Sequence, residues 1–229
     1  MGNIRTELGE RLLDLIFPRK CPFCRAILDR EEELLCRSCQ RELPWLEGKL
    51  AERKVDFTCG CWSPLAYRGK VPEAVRRYKF RRVRACGRPF GIIMAQCAEN
   101  HMKEKPDLIT WAPLSKKRLK KRGFDQARLL AETVGEELKL PVRPLLKKKR
   151  HNGPQSRLDS EAARRANALG AYELLEDEDL SGQKILLVDD VVTSGATLSE
   201  CARLLCQNGA DVYCLTLAQA RSDRSRTNS

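Results

Sequence analysis

The chain has 229 residues, which is enough for one domain of ordinary size and a small additional module. Its hydrophobic content of 42% fits a globular protein, and no apolar run approaches the ~20 residues that span a bilayer. Charged residues interrupt the first twenty positions, so we expect neither a secretory signal nor membrane insertion. The net charge of +12 comes from clustered lysines and arginines, which form either a solvated basic surface or a site for polyanions.

Two cysteine pairs follow a helix predicted over residues 4–17 from its apolar spacing. Each pair has the form Cys-x-x-Cys, and two such pairs bring four thiolates into the tetrahedron that suits Zn²⁺. A redox role would need thioredoxin-like surroundings, which are missing from the sequence. We therefore predict a structural zinc site whose ligands are Cys21, Cys24, Cys36 and Cys39.

The remaining cysteines are not arranged in a second set of this kind. Cys59 and Cys61 form a single Cys-x-Cys with no partner pair nearby. Either both are buried, or one of them contributes to the first site. Eleven cysteines without a secretory signal indicate a reducing compartment, and we expect a cytoplasmic protein.

Strand and helix patterns alternate through the rest of the chain. The predicted elements are a strand over 62–68, a helix from Val71, a helix over 90–102, a strand over 107–111, a helix over 124–138, an edge strand over 169–175, a strand over 185–188, a helix from Leu198 and a strand over 212–218. This alternation predicts an α/β fold with a parallel sheet flanked by helices.

One stretch, residues 185–197, combines a buried strand with polar chemistry. The apolar run 185–188 predicts a strand that ends where Asp189 and Asp190 begin, and a hydroxyl-rich loop follows. A loop between a strand and a helix N-terminus presents N–H groups and positive potential to an anion. The loop residues Thr193, Ser194, Gly195, Ala196 and Thr197 are therefore predicted to bind a phosphate. The two carboxylates can accept hydrogen bonds from ribose hydroxyls. A ribose 5′-phosphate therefore matches both the carboxylates and the loop of this stretch.

These residues carry a family resemblance. Residues 185–197 resemble the phosphoribosyl-pyrophosphate signature of type I phosphoribosyltransferases, and the chain from about residue 10 to 220 resembles the ComF family, in which a zinc ribbon precedes such a domain. Two further segments, 111–126 and 150–167, contribute to the resemblance. It implies a type I phosphoribosyltransferase fold with an N-terminal zinc-ribbon module over 1–66 and the transferase-like domain over 67–220. Residues 221–229 lack an apolar anchor, so we expect a disordered tail there.

The resemblance also implies roles for residues outside the signature. The loop after the strand 107–111 would bind the diphosphate, and residues 147–155 would form the loop that closes over the ligand. In addition to the phosphate loop, the implied substrate-binding residues are Ser115, Lys116, Arg122, Arg150 and Gln155, with Asp189 and Asp190 at the reaction centre and Mg²⁺ as the companion of phosphoribosyl pyrophosphate.

Two classes of function remain open from the sequence. The first is an enzyme that transfers a phosphoribosyl group to a base or amine. The second is a non-catalytic protein that keeps the nucleotide pocket and acts in DNA uptake, with single-stranded DNA or proteins of the competence machinery as partners. A regulator that senses phosphoribosyl pyrophosphate would need only the pocket.

Overall fold

The structure is a computed structural model, and it describes residues 18–29, 34–80, 83–149, 168–176 and 178–220. Within these ranges the helices are α1 (Arg37–Glu42), α2 (Val71–Phe80), α3 (Gly87–His101), α4 (Lys116–Arg122), α5 (Gln126–Leu138) and α6 (Ala196–Gln207). The strands are β1 (Gly60–Trp62), β2 (Leu65–Ala66), β3 (Leu108–Trp111), β4 (Leu146–Lys148), β5 (Tyr172–Leu174), β6 (Lys184–Val192) and β7 (Asp211–Gln219). None of the helices in this part of the chain has the length and apolar content needed to cross a bilayer.

A parallel sheet of five strands organises the fold. Its order is β1-β7-β6-β3, and β2 also pairs with β7. The two long strands β6 and β7 lie at the centre because their apolar runs can be buried on both faces. The predicted α/β architecture with a parallel sheet is confirmed.

Successive side chains of β6 enter two different cores, as the alternation of a strand requires. Leu186 and Val188 pack with apolar residues of α2, α3 and α5 on one face. Ile185 and Leu187 pack with the apolar side of α6 on the other face. The sheet is therefore covered by helices on both sides.

The cysteine-rich segment packs directly against this body. Its buried residues Cys21, Phe23 and Cys39 belong to the same apolar core as Tyr78 and Phe90. The rings of Phe23 and Phe90 lie 5.2 Å apart between centroids. The ribbon segment and the sheet domain therefore share one continuous interior.

Several element bounds differ from the sequence prediction. The single strand predicted over 62–68 is two short strands, β1 and β2, because Pro64 lies between them and has no N–H for the ladder. β6 does not end at Val188 but continues to Val192, since β7 still pairs with it up to Gln219. The helix predicted from residue 124 begins at Gln126, because the Asp125 side chain accepts hydrogen bonds from Ala127 N and Arg128 N and caps it.

Two further differences concern polar segments. The basic run 116–122, expected to continue a loop, is the short helix α4. The edge strand predicted over 169–175 is β5, which pairs with β4 in a separate two-stranded antiparallel sheet. The predicted helix over 4–17 and the predicted tail over 221–229 lie outside the described residues.

Candidate functional site

The four predicted zinc ligands converge. One ligand atom from each of Cys21, Cys24, Cys36 and Cys39 lies within 4.8 Å of the others. Zn–S bonds of about 2.3 Å in a tetrahedron place sulfur atoms about 3.8 Å apart, so the cluster is the right size for zinc. The amide N of Ala26 lies 3.5 Å from Cys24 Sγ and donates to it, which orients that thiolate. The donor set and its spacing fit a structural zinc ion.

Cys59 and Cys61 are separate from this cluster. Cys61 is fully buried in β1, where it is the register partner of Cys214 in β7. Cys59 is exposed just before β1, and its amide donates to Val212 O at 2.8 Å. In the part of the chain that the structure describes, the ribbon cluster is the single group of cysteines placed to hold a metal.

The loop predicted to bind phosphate connects β6 to α6 at the carboxyl edge of the sheet. Gly195 has φ of +79°, a left-handed conformation that favours glycine, and it directly precedes the first residue of α6. A cavity of about 370 Å³ opens here. Its lining includes all five predicted loop residues, Thr193 to Thr197, together with Asp189, Arg118, Lys148 and Tyr172. The helix N-terminus, the hydroxyl groups and the two cations give this cavity the character of an anion site.

Asp189 forms one wall of the cavity. Burial, and then the charge of the neighbouring Asp190, raise the pKa of Asp189 to about 7, while Lys79 opposes that change. The amide of Asp190 donates to Asp189 Oδ1 at 2.7 Å and orients the carboxyl group. Asp189 can therefore accept a hydrogen bond from a ligand hydroxyl or carry a proton itself near neutral pH.

Asp190 lies on the opposite face of β6 and does not line the cavity. Its Oδ1 is 2.8 Å from Lys79 Nζ at the end of α2, and both side chains are mostly buried. Lys79 was not among the predicted site residues. Its position within a run of basic residues gives no signal that separates it from the arginines around it.

Lys148 and Tyr172 form a second unpredicted pair, contributed by the two-stranded sheet of β4 and β5. Lys148 Nζ donates to Tyr172 Oη at 2.7 Å and lies over the ring, 4.4 Å from its centroid. Burial, and then the charge of Arg118, lower the pKa of Lys148. An anion in the cavity would reverse that effect, because it would stabilise the charged ammonium group.

None of the other predicted binding residues in the described part of the chain lines the cavity. Ser115 caps α4, and its Oγ accepts from Arg118 N at 3.4 Å. Arg122 donates to Gln126 Oε1 at 2.7 Å and lies 5.0 Å from the ring centroid of Phe80. Lys116 is exposed at the start of α4. Arg150 and Gln155 lie outside the described residues.

Asp125 fixes the loop after β3, which the sequence analysis expected near the phosphate loop. Its Oδ2 accepts from Leu114 N at 3.0 Å, while Oδ1 caps α5. This carboxylate therefore connects the end of β3 to α4 and α5, and the N-terminal half of α4 brings Arg118 to the cavity.

Comparisons with known proteins agree with these two sites. The family description "Double zinc ribbon domain" matches residues 12–53, and "Phosphoribosyl transferase domain" matches residues 121–229. Among solved structures, an adenine phosphoribosyltransferase from Leishmania tarentolae is similar over 84% of this chain and 89% of that chain, at 11% identity and a TM-score of 0.39. The two matched family descriptions and the cysteine cluster define a zinc-ribbon protein with a phosphoribosyltransferase-type domain.

Two relatives are similar to this chain over nearly their whole length. Competence protein F from Haemophilus influenzae is 26% identical over 85% of this chain and 94% of that protein. Competence protein ComFC from Bacillus subtilis is 26% identical over 91% of this chain and 94% of that protein. DNA utilization protein YhgH from Escherichia coli strain K12 is 35% identical over 48% of this chain and 49% of that protein. Over most of its length the chain is therefore similar to ComF-type competence proteins.

Proposed function

We propose that the protein binds phosphoribosyl pyrophosphate with Mg²⁺ and transfers its phosphoribosyl group to a base or amine. The observation that carries this proposal is the cavity at the β6–α6 junction, where a hydroxyl-rich loop at a helix N-terminus, a carboxylate and two cations meet. These groups match the parts of a pyrophosphorylated sugar phosphate. The match between donor types and ligand chemistry supports the proposal, together with the similarity to a phosphoribosyl transferase domain over residues 121–229.

Different residues would bind different parts of the ligand. The loop from Thr193 to Thr197 would bind the 5′-phosphate through amides and hydroxyls at the N-terminus of α6. Asp189 would accept hydrogen bonds from the ribose, and Asp190 would act through its amide contact to Asp189. Arg118 and Lys148 would face the diphosphate, with Ser115, Lys116, Arg122, Arg150 and Gln155 as further binding residues in this proposal.

The cavity chemistry suits a displacement at the anomeric carbon. The bond from that carbon to the pyrophosphate oxygen breaks, and a bond to the acceptor nitrogen forms while the acceptor gives up a proton. Charge accumulates on the departing diphosphate, and fixed cations next to it stabilise that charge in the transition state. Mg²⁺, which prefers oxygen ligands, would enter with the diphosphate and neutralise it further.

A screen of nucleobases and amines tests the enzymatic part of this proposal. Purified protein is incubated with phosphoribosyl pyrophosphate, Mg²⁺ and each acceptor, and diphosphate release is measured. We expect release with at least one acceptor and its loss in Asp189→Asn. Binding of phosphoribosyl pyrophosphate without release in the presence of any acceptor would contradict catalysis and favour a binding or sensing role.

A second candidate function is binding of single-stranded DNA, and one surface favours it. Phe80 is 56% exposed beside the Arg122 guanidinium, and six of the seven residues of α4 are basic. Exposed rings flanked by cations are typical of surfaces on which unpaired bases stack. The relatives named for competence and DNA utilization agree with such a role. Salt-sensitive binding of an oligonucleotide that weakens in Phe80→Ala would support it, whereas equal binding by that variant would contradict the use of this surface.

A further inference from the structure

The last turn of α2 contacts three different parts of the protein through three consecutive residues. Arg77 donates from Nη2 to Pro22 O at 2.9 Å and to Phe23 O at 2.7 Å. Tyr78 donates from Oη to Gln126 O at 2.9 Å, at the start of α5. Lys79 pairs with Asp190 at the end of β6. This turn is therefore a junction between the ribbon, the helical layer and the candidate sugar-phosphate site.

The Arg77 contact is made to the zinc knuckle itself. Pro22 and Phe23 are the two residues between the ligands Cys21 and Cys24, so their carbonyl groups have this orientation only in the folded knuckle. Arg77 is 7% exposed, and a buried guanidinium is costly unless its donors are satisfied. Because metal binding supplies the folding free energy of a small ribbon, the acceptors for Arg77 depend on the zinc ion.

The opposite end of the junction controls the orientation of a cavity residue. Lys79 is two positions after Arg77 in the same helical turn, so the placement of one constrains the other. Asp190 contacts Lys79 through its side chain and Asp189 through its amide. A shift of Lys79 therefore changes the position of Asp190 and the orientation of Asp189, which lines the cavity.

We propose that Arg77 is a positioning residue through which the zinc-bound knuckle sets the geometry of the Lys79–Asp190 pair and thereby the affinity of the neighbouring cavity for a sugar phosphate. This inference rests on the proposed function for the nature of the ligand. The zinc site then serves more than the stability of the ribbon. It couples the N-terminal segment to the β6–α6 site by way of one helical turn.

Arg77→Met in the full-length, zinc-containing protein tests the coupling, and Arg76→Met is its matched control. Arg76 is a neighbouring, exposed arginine of the same helix, and it pairs with Glu73, whose other oxygen lies 3.4 Å from Arg77. Two quantities are measured in each protein: the Kd for phosphoribosyl pyrophosphate with Mg²⁺, and hydrogen exchange of the amides in residues 77–80 and 189–192. Zinc content is determined in parallel by elemental analysis.

We expect Arg77→Met to weaken binding by about tenfold, within the usual range of coupling between sites, and to raise exchange in both segments. Arg76→Met should match the wild type in both measurements, and Arg77→Lys, which keeps the charge, should recover part of the affinity. Removal of zinc from the wild type should reproduce the loss of affinity, and removal from Arg77→Met should add little to it. If Arg77→Met does not fold, Arg77→Lys is compared with Arg76→Met instead. Weaker binding and faster exchange in Arg77→Lys would then support the coupling, and equal values would contradict it.

Two outcomes would overturn the inference, and a third separates it from the proposed function. Arg77 variants that match Arg76→Met in affinity and exchange would show that there is no coupling. Independent, additive losses from zinc removal and from Arg77→Met would show that the metal acts by another route. If Arg77→Met alters exchange at 189–192 but the protein does not bind phosphoribosyl pyrophosphate, the coupling is supported and the proposed ligand is contradicted.

Discussion

The ammonium group of Lys79 lies 2.8 Å from the carboxylate of Asp190, so the two adjacent aspartates of β6 have different surroundings. Asp189 faces the cavity, and Asp190 faces α2. Side-chain alternation along the strand produces this division. The aspartates are therefore expected to contribute differently to ligand binding and to stability.

Asp190→Asn should lower the free energy of unfolding by about 2 kcal/mol, because it leaves the mostly buried Lys79 without its charged partner. Asp211→Asn, at an exposed position at the start of β7, is the control and should change stability little. The double variant Lys79→Met/Asp190→Asn should lose less than the sum of the single changes. Urea denaturation is measured for the wild type, Lys79→Met, Asp190→Asn, the double variant and Asp211→Asn, and strict additivity would contradict a direct interaction.

The raised pKa of Asp189 predicts a specific pH dependence. Between its ordinary value of 3.8 and about 7, the unfolded chain releases this proton while the folded protein retains it. The contribution of Asp189 to stability therefore falls as pH rises through that window, at most by about 1.4 kcal/mol per pH unit. Denaturation curves between about pH 5 and 7.5 should show wild type losing stability relative to Asp189→Asn. A relative gain for wild type over this range would contradict the assignment.

Gly195→Ala should impair the phosphate loop. A side chain at φ of +79° costs about 1–2 kcal/mol, although the added Cβ would meet only Val55, at ordinary distances of 3.6 and 3.7 Å. Gly69→Ala provides a matched control, since Gly69 has φ of +60° and open space around it, away from the cavity. Both variants should lose similar stability in thermal denaturation, and only Gly195→Ala should also lose affinity for ribose 5-phosphate. Equal affinities in the two variants would show that the loop conformation is unimportant for binding.

Zinc content should be one ion per chain, because the described residues contain one cluster of four close cysteines. Cys39→Ser should abolish zinc binding and destabilise the protein, since the metal supplies folding free energy to the ribbon. Cys61→Ser is the control, because Cys61 is buried against Cys214 and should leave the metal content unchanged. A stoichiometry of two ions, or a loss of zinc in Cys61→Ser, would contradict the assignment of the ligands.

Local patterns predicted the centre of the site, whereas pairings between distant segments could not be predicted. The apolar run 185–188 is a local signal that placed the core of β6 correctly, but the predicted bounds were wrong, because β6 includes both aspartates and α6 begins at Ala196. The extension of β6 to Val192 depends on pairing with β7. The two-stranded sheet of β4 and β5 joins segments that residues 149–171 separate in the sequence. Lys79 meets Asp190, and Lys148 meets Tyr172, only after the chain has folded. No single-sequence pattern marks such partners.

The most direct test of the account is a crystal structure of the protein with ribose 5-phosphate. We predict the phosphate at the N-terminus of α6, within hydrogen-bond distance of the amides of residues 194–197, and a ribose hydroxyl on Asp189. Density for the phosphate on the exposed lysines of α4, with the β6–α6 loop unoccupied, would contradict the central claim.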